Sequence, residues 1–345
     1  MSNFTCINVT ELSPYCCKLF QSDTEAVKGV KILFYCVLLF MSIIGNSLVV
    51  AIVKMNKRMQ SITNYLIANM AVSDIIITVL VVPRQITEIL LGPRSWLMRG
   101  LLGSILCKSL SFVSDTTTDV SVLSLMVITV DRYRGILFPF QKQLWSPSKL
   151  CKIVIPLIWI ISMSFHAVYF DIFRLVTYDG NGYCNVHWTP KWQKIYFVAI
   201  IVCLIAVPAF IITFLYLRII QNLVRSRASL SKGPLSLKRL KEDTKVMRNI
   251  IAILIAFVVC VTPISIYGIM FFFVWGMNVP CGMENYGFAA HFFLYANASV
   301  NPWIYFVFND KYRRGFENIL GKLLVVRNGM ESRRGSPHAL EMAGV

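Results

Sequence analysis

Charge is scarce in this chain. Asp, Glu, Lys and Arg supply 15% of its residues, against roughly 25% in soluble globular proteins. Catalytic signatures are missing too. There is no GxSxG elbow, phosphate-binding glycine loop or HExxH, and no cluster of Cys and His at ligand spacing. Neither an enzyme nor a resident cofactor is expected. No repeat of fixed period is evident, nor are the interrupted half-spans that mark many transporters and channels. No segment between apolar runs is long enough to bury its own core, so one domain is expected. The N-terminus lacks a basic leader followed by a short apolar run and cleavage site, so the first span is expected to act as the signal.

What is present is apolar. Hydrophobic residues make up 56%, and the mean hydropathy is +0.63. Residues 32–53, 195–217, 250–279 and 285–309 carry no charge, and neither does the shorter run 153–170. Residues 62–82 embed only Asp74, and 105–131 embed Lys108, Asp115 and Asp119 before ending in Asp131. About 20 residues cross ~30 Å of hydrocarbon. Backbone in lipid must satisfy its own hydrogen bonds, so these seven runs are expected to be helices. The expected fold is an all-α membrane protein, a bundle of seven transmembrane helices. Residues 1–29 form a tail, 30–309 the membrane domain, 310–325 an amphipathic helix and 326–345 a polar tail. In the amphipathic helix Tyr312, Phe316, Ile319, Leu320 and Leu323 alternate with bases, which fits a helix lying on the inner leaflet.

With the N-terminus outside, 24 of the 34 Lys and Arg fall on the cytoplasmic side, the positive-inside bias of a multi-pass protein. The net charge of +17 then faces anionic lipid. Split over short loops, it does not form a nucleic-acid surface. The expected location is the plasma membrane. Six of the ten cysteines lie on the outer side: Cys6, Cys16, Cys17, Cys107, Cys184 and Cys281. An oxidising exterior favours their pairing. Cys107, opening the third span, and Cys184, before the fifth, are the expected disulfide; the other pairings stay open. Asn3 and Asn8 stand in glycosylation sequons on the same side.

Ionisable groups at membrane depth are costly and point to function. Asp74 is either a buried acid satisfied by Ser and Asn neighbours or an ion or proton site. Arg132 can snorkel to water or pair with Asp131, and Asp243 on the sixth span offers a second acid. An ion pair made or broken between helix ends is a bistable element. Asp115 and Asp119 share a helix face with Lys108. That stripe either lines a cavity and binds polar ligand groups or fixes packing. His166 is a candidate partner for Asp119.

Taken together, these residues resemble the rhodopsin-like (class A) G-protein-coupled receptors over nearly the whole chain apart from its tails. The resemblance rests on Gly45-Asn46, on "LIANMAVSD" ending at Asp74, and on Cys107, Ser121 and Asp131-Arg132-Tyr133. Trp159, Pro208, Tyr216, Phe257, Pro263 and Asn301-Pro302-Trp303-Ile304-Tyr305 continue it through the later spans. It implies a receptor that activates heterotrimeric G proteins by opening a cytoplasmic cleft at Arg132. Asp131 and Asp243 would hold Arg132 at rest, and Tyr216 and Tyr305 would close around it on activation. It also implies an allosteric sodium pocket of Asp74, Ser121, Asn297 and Asn301.

The chain departs from the family pattern in places. Cys260-Val261-Thr262-Pro263 lacks the usual Trp, which leaves the trigger or basal activity altered. Ser114 stands where amine receptors carry an Asp, which disfavours a biogenic amine. Tyr295 replaces the lysine of photopigments. A tail poor in Ser and Thr argues for weak phosphorylation-driven arrestin binding. The motif context is most similar to neuropeptide receptors. The implied peptide contacts are Arg84, Glu88, Ser114, Asp115, Asp119, Arg174, Tyr267, Glu284, His291 and Tyr295. The competing reading is a lipid-responsive or constitutively active receptor of the same fold, with a transporter or channel behind it.

Overall fold

The computed structural model describes residues 23–92, 94–138, 147–178, 180–228, 234–280 and 282–321. Asn3, Asn8, Cys6, Cys16, Cys17, Cys281 and the tail 326–345 lie outside the described residues, as does the side chain of Asp243.

Seven long helices form a bundle. They are α1 (Glu25–Met55), α2 (Ile62–Leu91), α3 (Gly100–Leu137) and α4 (Pro147–His166). Next, α5 runs through Pro190–Ile200, a π-helical turn Ile201–Ala206, and Val207–Ala228. Then α6 covers Pro234–Ile269 and ends in a second π-helical turn, Met270–Val274. Last, α7 spans Glu284–Phe308, and residues 310–321 add a further helix. Local signals set the boundaries. The hydroxyls of Thr24 and Ser61 accept from the backbone N–H of Val27 and Asn64 and cap α1 and α2. Gly92, at φ +101°, lets the chain leave α2.

Among the described residues, six helices are long and apolar enough to cross a membrane by length and composition alone. The seventh, α7, has the length but carries Asn297, Ser299 and Asn301 on its buried face. Polarity turned inward lowers its hydropathy without exposing it to lipid. The bundle's outer surface is apolar in the opposite sense. On α5, Val207, Phe210, Phe214 and Leu217 are all exposed along one stripe. In water such a surface would aggregate; in a bilayer it is solvated. The protein is a multi-pass membrane protein.

Prolines shape the packing. Pro302 lacks an N–H, so the Ala298 carbonyl one turn earlier loses its helical donor. Asn46 Nδ2 of α1 supplies one, at 2.8 Å. Gly45, beside it, gives α1 room to approach: a Cβ there would meet Pro302 Cβ at 2.8 Å.

An all-α reading omitted one element. Between α4 and α5 the chain forms a hairpin, β2 (Phe173–Tyr178) and β3 (Asn181–Val186), which joins the two-residue β1 (Ser95–Trp96) in the order β1-β3-β2. The disulfide Cys107–Cys184 ties β3 to α3, and Trp96 packs on it. This anchored strand roofs one end of the bundle; Arg132 marks the other.

Candidate functional site

Three polar sites lie along the bundle, linked by α3. Nearest the disulfide is a chamber of about 330 Å³ between α3, α4, α5 and α6, roofed by residues of the hairpin. Asp115 and Asp119, one helical turn apart, both line it. His166 Nε2 lies 2.6 Å from Asp119 Oδ2, and both side chains are buried. Tyr196 Oη donates to the Phe165 carbonyl at 3.1 Å and lies 3.0 Å from His166 Nδ1. His166 is thus held at both ring nitrogens, Nδ1 by the Tyr196 hydroxyl and Nε2 by Asp119. Asp115 differs. Its Oδ2 accepts from Tyr169 Oη at 2.5 Å, and no cation pairs with it among the described residues. Lys108, expected on the same stripe, is instead directed to the Phe170 carbonyl at 2.7 Å. The long lysine arm ends on the short helix Tyr169–Ile172 and not on Asp115.

Val261 lies in the floor of this chamber. Below it is a second cavity of about 250 Å³, lined by Val122, Leu125, Ile212 and Phe257. Ile201, Ile205, Val261 and Ser265 line both. A side chain as short as valine leaves the two spaces adjoining.

Of the ten anticipated ligand contacts, only Asp115 and Asp119 line the chamber. Ser114 is buried on the same helix. Arg84 pairs with Glu88 at 2.6 Å and lies over the Trp96 ring. Tyr295 Oη accepts from Gln85 at 3.5 Å. Tyr267 packs against Trp275, Tyr286 and His291. Glu284 accepts from the Gly282 N–H, and Arg174 is exposed on β2. These residues ring the end of the bundle around α2, α6 and α7. Sequence reasoning missed Thr118, Tyr169, Trp188, Gln193, Tyr196 and Phe272. Thr118 was within reach, lying between the two acids on α3. Tyr169 comes from a short helix before the hairpin, Trp188 from the segment after it, Gln193 and Tyr196 from α5, and Phe272 from a π-helical turn, and no local pattern encodes how these meet.

The second site is at mid-bundle. Asp74 accepts from Ser121 Oγ at 3.3 Å and from Asn301 Nδ2 at 3.2 Å. The side-chain oxygens of Asn46, Asn297 and Asn301 are buried without a hydrogen-bond partner among the described residues. No group of three or more His, Cys, Asp or Glu able to hold a metal occurs there.

The third site closes the far end. Arg132 Nη2 pairs with Asp131 Oδ2 at 2.5 Å, and the same oxygen accepts from Thr63 Oγ1 at 2.9 Å. Tyr133 packs edge-on against Phe138. Tyr216 and Phe257 are buried. Tyr305 stacks on Tyr312, whose hydroxyl donates to Asn64. Lys245 of α6 reaches Asp310 at 2.9 Å.

A family model described as 7 transmembrane receptor (rhodopsin family) matches residues 45–305. The chain is 27% identical over 294 residues to galanin receptor type 2 of Rattus norvegicus, covering 85% of this chain and 76% of that protein. Neuropeptide Y receptor type 6 of Mus musculus is 27% identical over 295 residues, with 81% and 77% covered. Neuropeptide FF receptor 2 of Rattus norvegicus is 26% identical over 334 residues, with 90% and 76% covered.

Proposed function

The chain belongs to the rhodopsin family of seven-transmembrane receptors, and from that premise we propose that it is a plasma-membrane receptor for a peptide. Its N-terminus and disulfide face outward, and it activates heterotrimeric G proteins at the Arg132 end. Three relatives are named as receptors for galanin, neuropeptide Y and neuropeptide FF, which supports a peptide ligand. The observation that carries the signalling reading is the Asp131–Arg132 pair, held further by Thr63. An arginine held against its own helix by the adjacent acid can swing free when a G protein enters at that helix end. The ligand would seat in the chamber lined by Asp115 and Asp119 and act on α6 through Val261.

The mid-bundle oxygens fit a sodium ion. Asp74 would supply the charge, and Ser121, Asn297 and Asn301 neutral oxygens. When bound, the ion would favour the resting arrangement of α2, α3 and α7. The helix at residues 310–321 would rest on lipid. Arrestin would bind weakly, given the tail's composition.

A second reading is a lipid-driven or constitutively active receptor. The apolar cavity beneath Val261 favours it. The test is guanine-nucleotide exchange in membranes carrying wild type or Arg132→Ala, with and without a peptide-rich extract. Exchange that rises with extract and vanishes after protease treatment of the extract supports the peptide reading. High exchange without extract, abolished by Arg132→Ala, supports the second. No exchange under any condition, with the chain present at the surface, overturns both.

A further inference from the structure

The chamber's hydroxyls offer no free donor. Four hydroxyls line it, and all four hydrogens are committed within the protein. Tyr169 donates to Asp115 at 2.5 Å and Tyr196 to the Phe165 carbonyl at 3.1 Å. Thr118 donates to the Ser114 carbonyl at 2.9 Å and Ser265 to the Val261 carbonyl at 3.0 Å. Gln193 Nε2 is bonded to the Trp188 carbonyl at 2.9 Å, which leaves its Oε1 free of a hydrogen-bond partner among the described residues. Both ring nitrogens of His166 are engaged. What remains is mainly acceptors, Asp115 Oδ1, the lone pairs of Thr118 and Gln193 Oε1, beside two donors, the second Nε2 hydrogen of Gln193 and the indole N–H of Trp188.

Charge points the same way. No lysine or arginine is among the described residues that line the chamber. Asp119 is paired with the His166 ring, whereas Asp115 has only a phenol for company. A carboxylate against an apolar wall is costly unless a cation meets it. Aromatic rings of Phe173, Trp188, Phe197 and Phe272 complete the lining, and such faces attract cations.

We infer that Asp115 seats a cationic, donor-rich group of the ligand, an arginine guanidinium or an amine, with Thr118 and Gln193 as supporting acceptors and the aromatic wall around it. This rests on the reading of the chamber as the ligand's seat, and it names the chemistry that seat selects. A planar guanidinium matches it best, because it offers several donors in one plane to acceptors on different helices. The Asp119–His166 pair then acts as a positioning unit that holds α3 against α4, without touching the cation.

Two small probes test it on the whole chain purified in detergent: Nα-acetyl-arginine 2-naphthylamide and its uncharged counterpart, Nα-acetyl-citrulline 2-naphthylamide. Thermal unfolding reads their binding. The arginine compound should stabilise wild type at concentrations about tenfold or more below those the citrulline compound needs. Asp115→Asn should erase that difference. Equal stabilisation by both probes, or by neither, overturns the inference, and so does a difference that survives in Asp115→Asn. The comparison on wild type stands even if the variant fails to fold. Failure of the receptor reading is distinguishable. Extract-stimulated exchange with equal probes removes only the cation seat. Unequal probes without any stimulated exchange remove only the signalling reading.

Discussion

Asn46 repairs what Pro302 breaks. The proline leaves the Ala298 carbonyl without its backbone donor, and Asn46 Nδ2 fills that vacancy from the neighbouring helix at 2.8 Å. A break in α7 is thereby converted into a bond between α1 and α7. Asn46→Leu should lower stability by about 1–3 kcal/mol, the cost of stranding a buried polar group. Thermal unfolding in detergent checks it, and an unchanged midpoint would refute the repair. Gly45→Ala should be at least as damaging, since its methyl meets the Pro302 ring.

The Asp119–His166 pair is deeply buried, so removing one member leaves the other without its partner. Asp119→Asn and His166→Gln should each destabilise the chain by about 3–5 kcal/mol. The double variant should lose clearly less than the sum, with a coupling of roughly 0.5–3 kcal/mol. Strictly additive losses would show that the two do not act as a unit.

Val261 lies between two adjoining cavities. Val261→Trp places a large ring into that junction. If the gap beneath the chamber permits spontaneous movement of α6, the variant should show lower basal nucleotide exchange than wild type at equal expression. An unaltered basal rate would count against the constitutively active reading.

Asp310 links the end of α6 to the surface helix through Lys245, and its carboxyl is held below the usual range by that hydrogen bond and charge, with Arg313 and Arg314 adding to the effect. A depressed carboxyl contributes stability above its unfolded value and loses it only as pH falls through the folded one. The link should therefore persist through neutral and mildly acidic pH. Asp310→Asn should raise basal exchange slightly at low salt, with the difference shrinking as salt screens the exposed pair. A difference that grows with salt would exclude this cause.

Sodium should raise the unfolding temperature of ligand-free wild type, relative to the same concentration of a bulky organic cation. Asp74→Asn should abolish that increment. Equal sodium responses in both proteins would remove Asp74 from any ion site.

Much of the architecture could be read from composition and spacing. A run of about 20 apolar residues has few options in a bilayer, so the spans at 32–53 or 195–217 followed from local pattern. The run at 285–309 followed too, although its inward Asn297 and Asn301 blunt the signal. Motif positions marked Asp74, Arg132 and the Cys107–Cys184 bridge. Asp115 and Asp119, by contrast, look alike in the sequence: two acids one turn apart on one stripe.

Only the tertiary structure separated them. Asp119 meets His166 and becomes half of a buried pair, while Asp115 lines open space with a single phenol bonded to it. Periodicity reports which face of a helix a residue occupies. It does not report the depth, rotation and tilt at which that face meets another helix, which the packing of all seven decides together. The same holds for the hairpin that roofs the chamber and for the junction at Val261. Both depend on contacts between segments far apart in the chain, and no local pattern carries that information. The sequence determined a seven-helix membrane receptor with charged groups at three depths; packing decided which of those acids met a basic partner and which, among the described residues, did not.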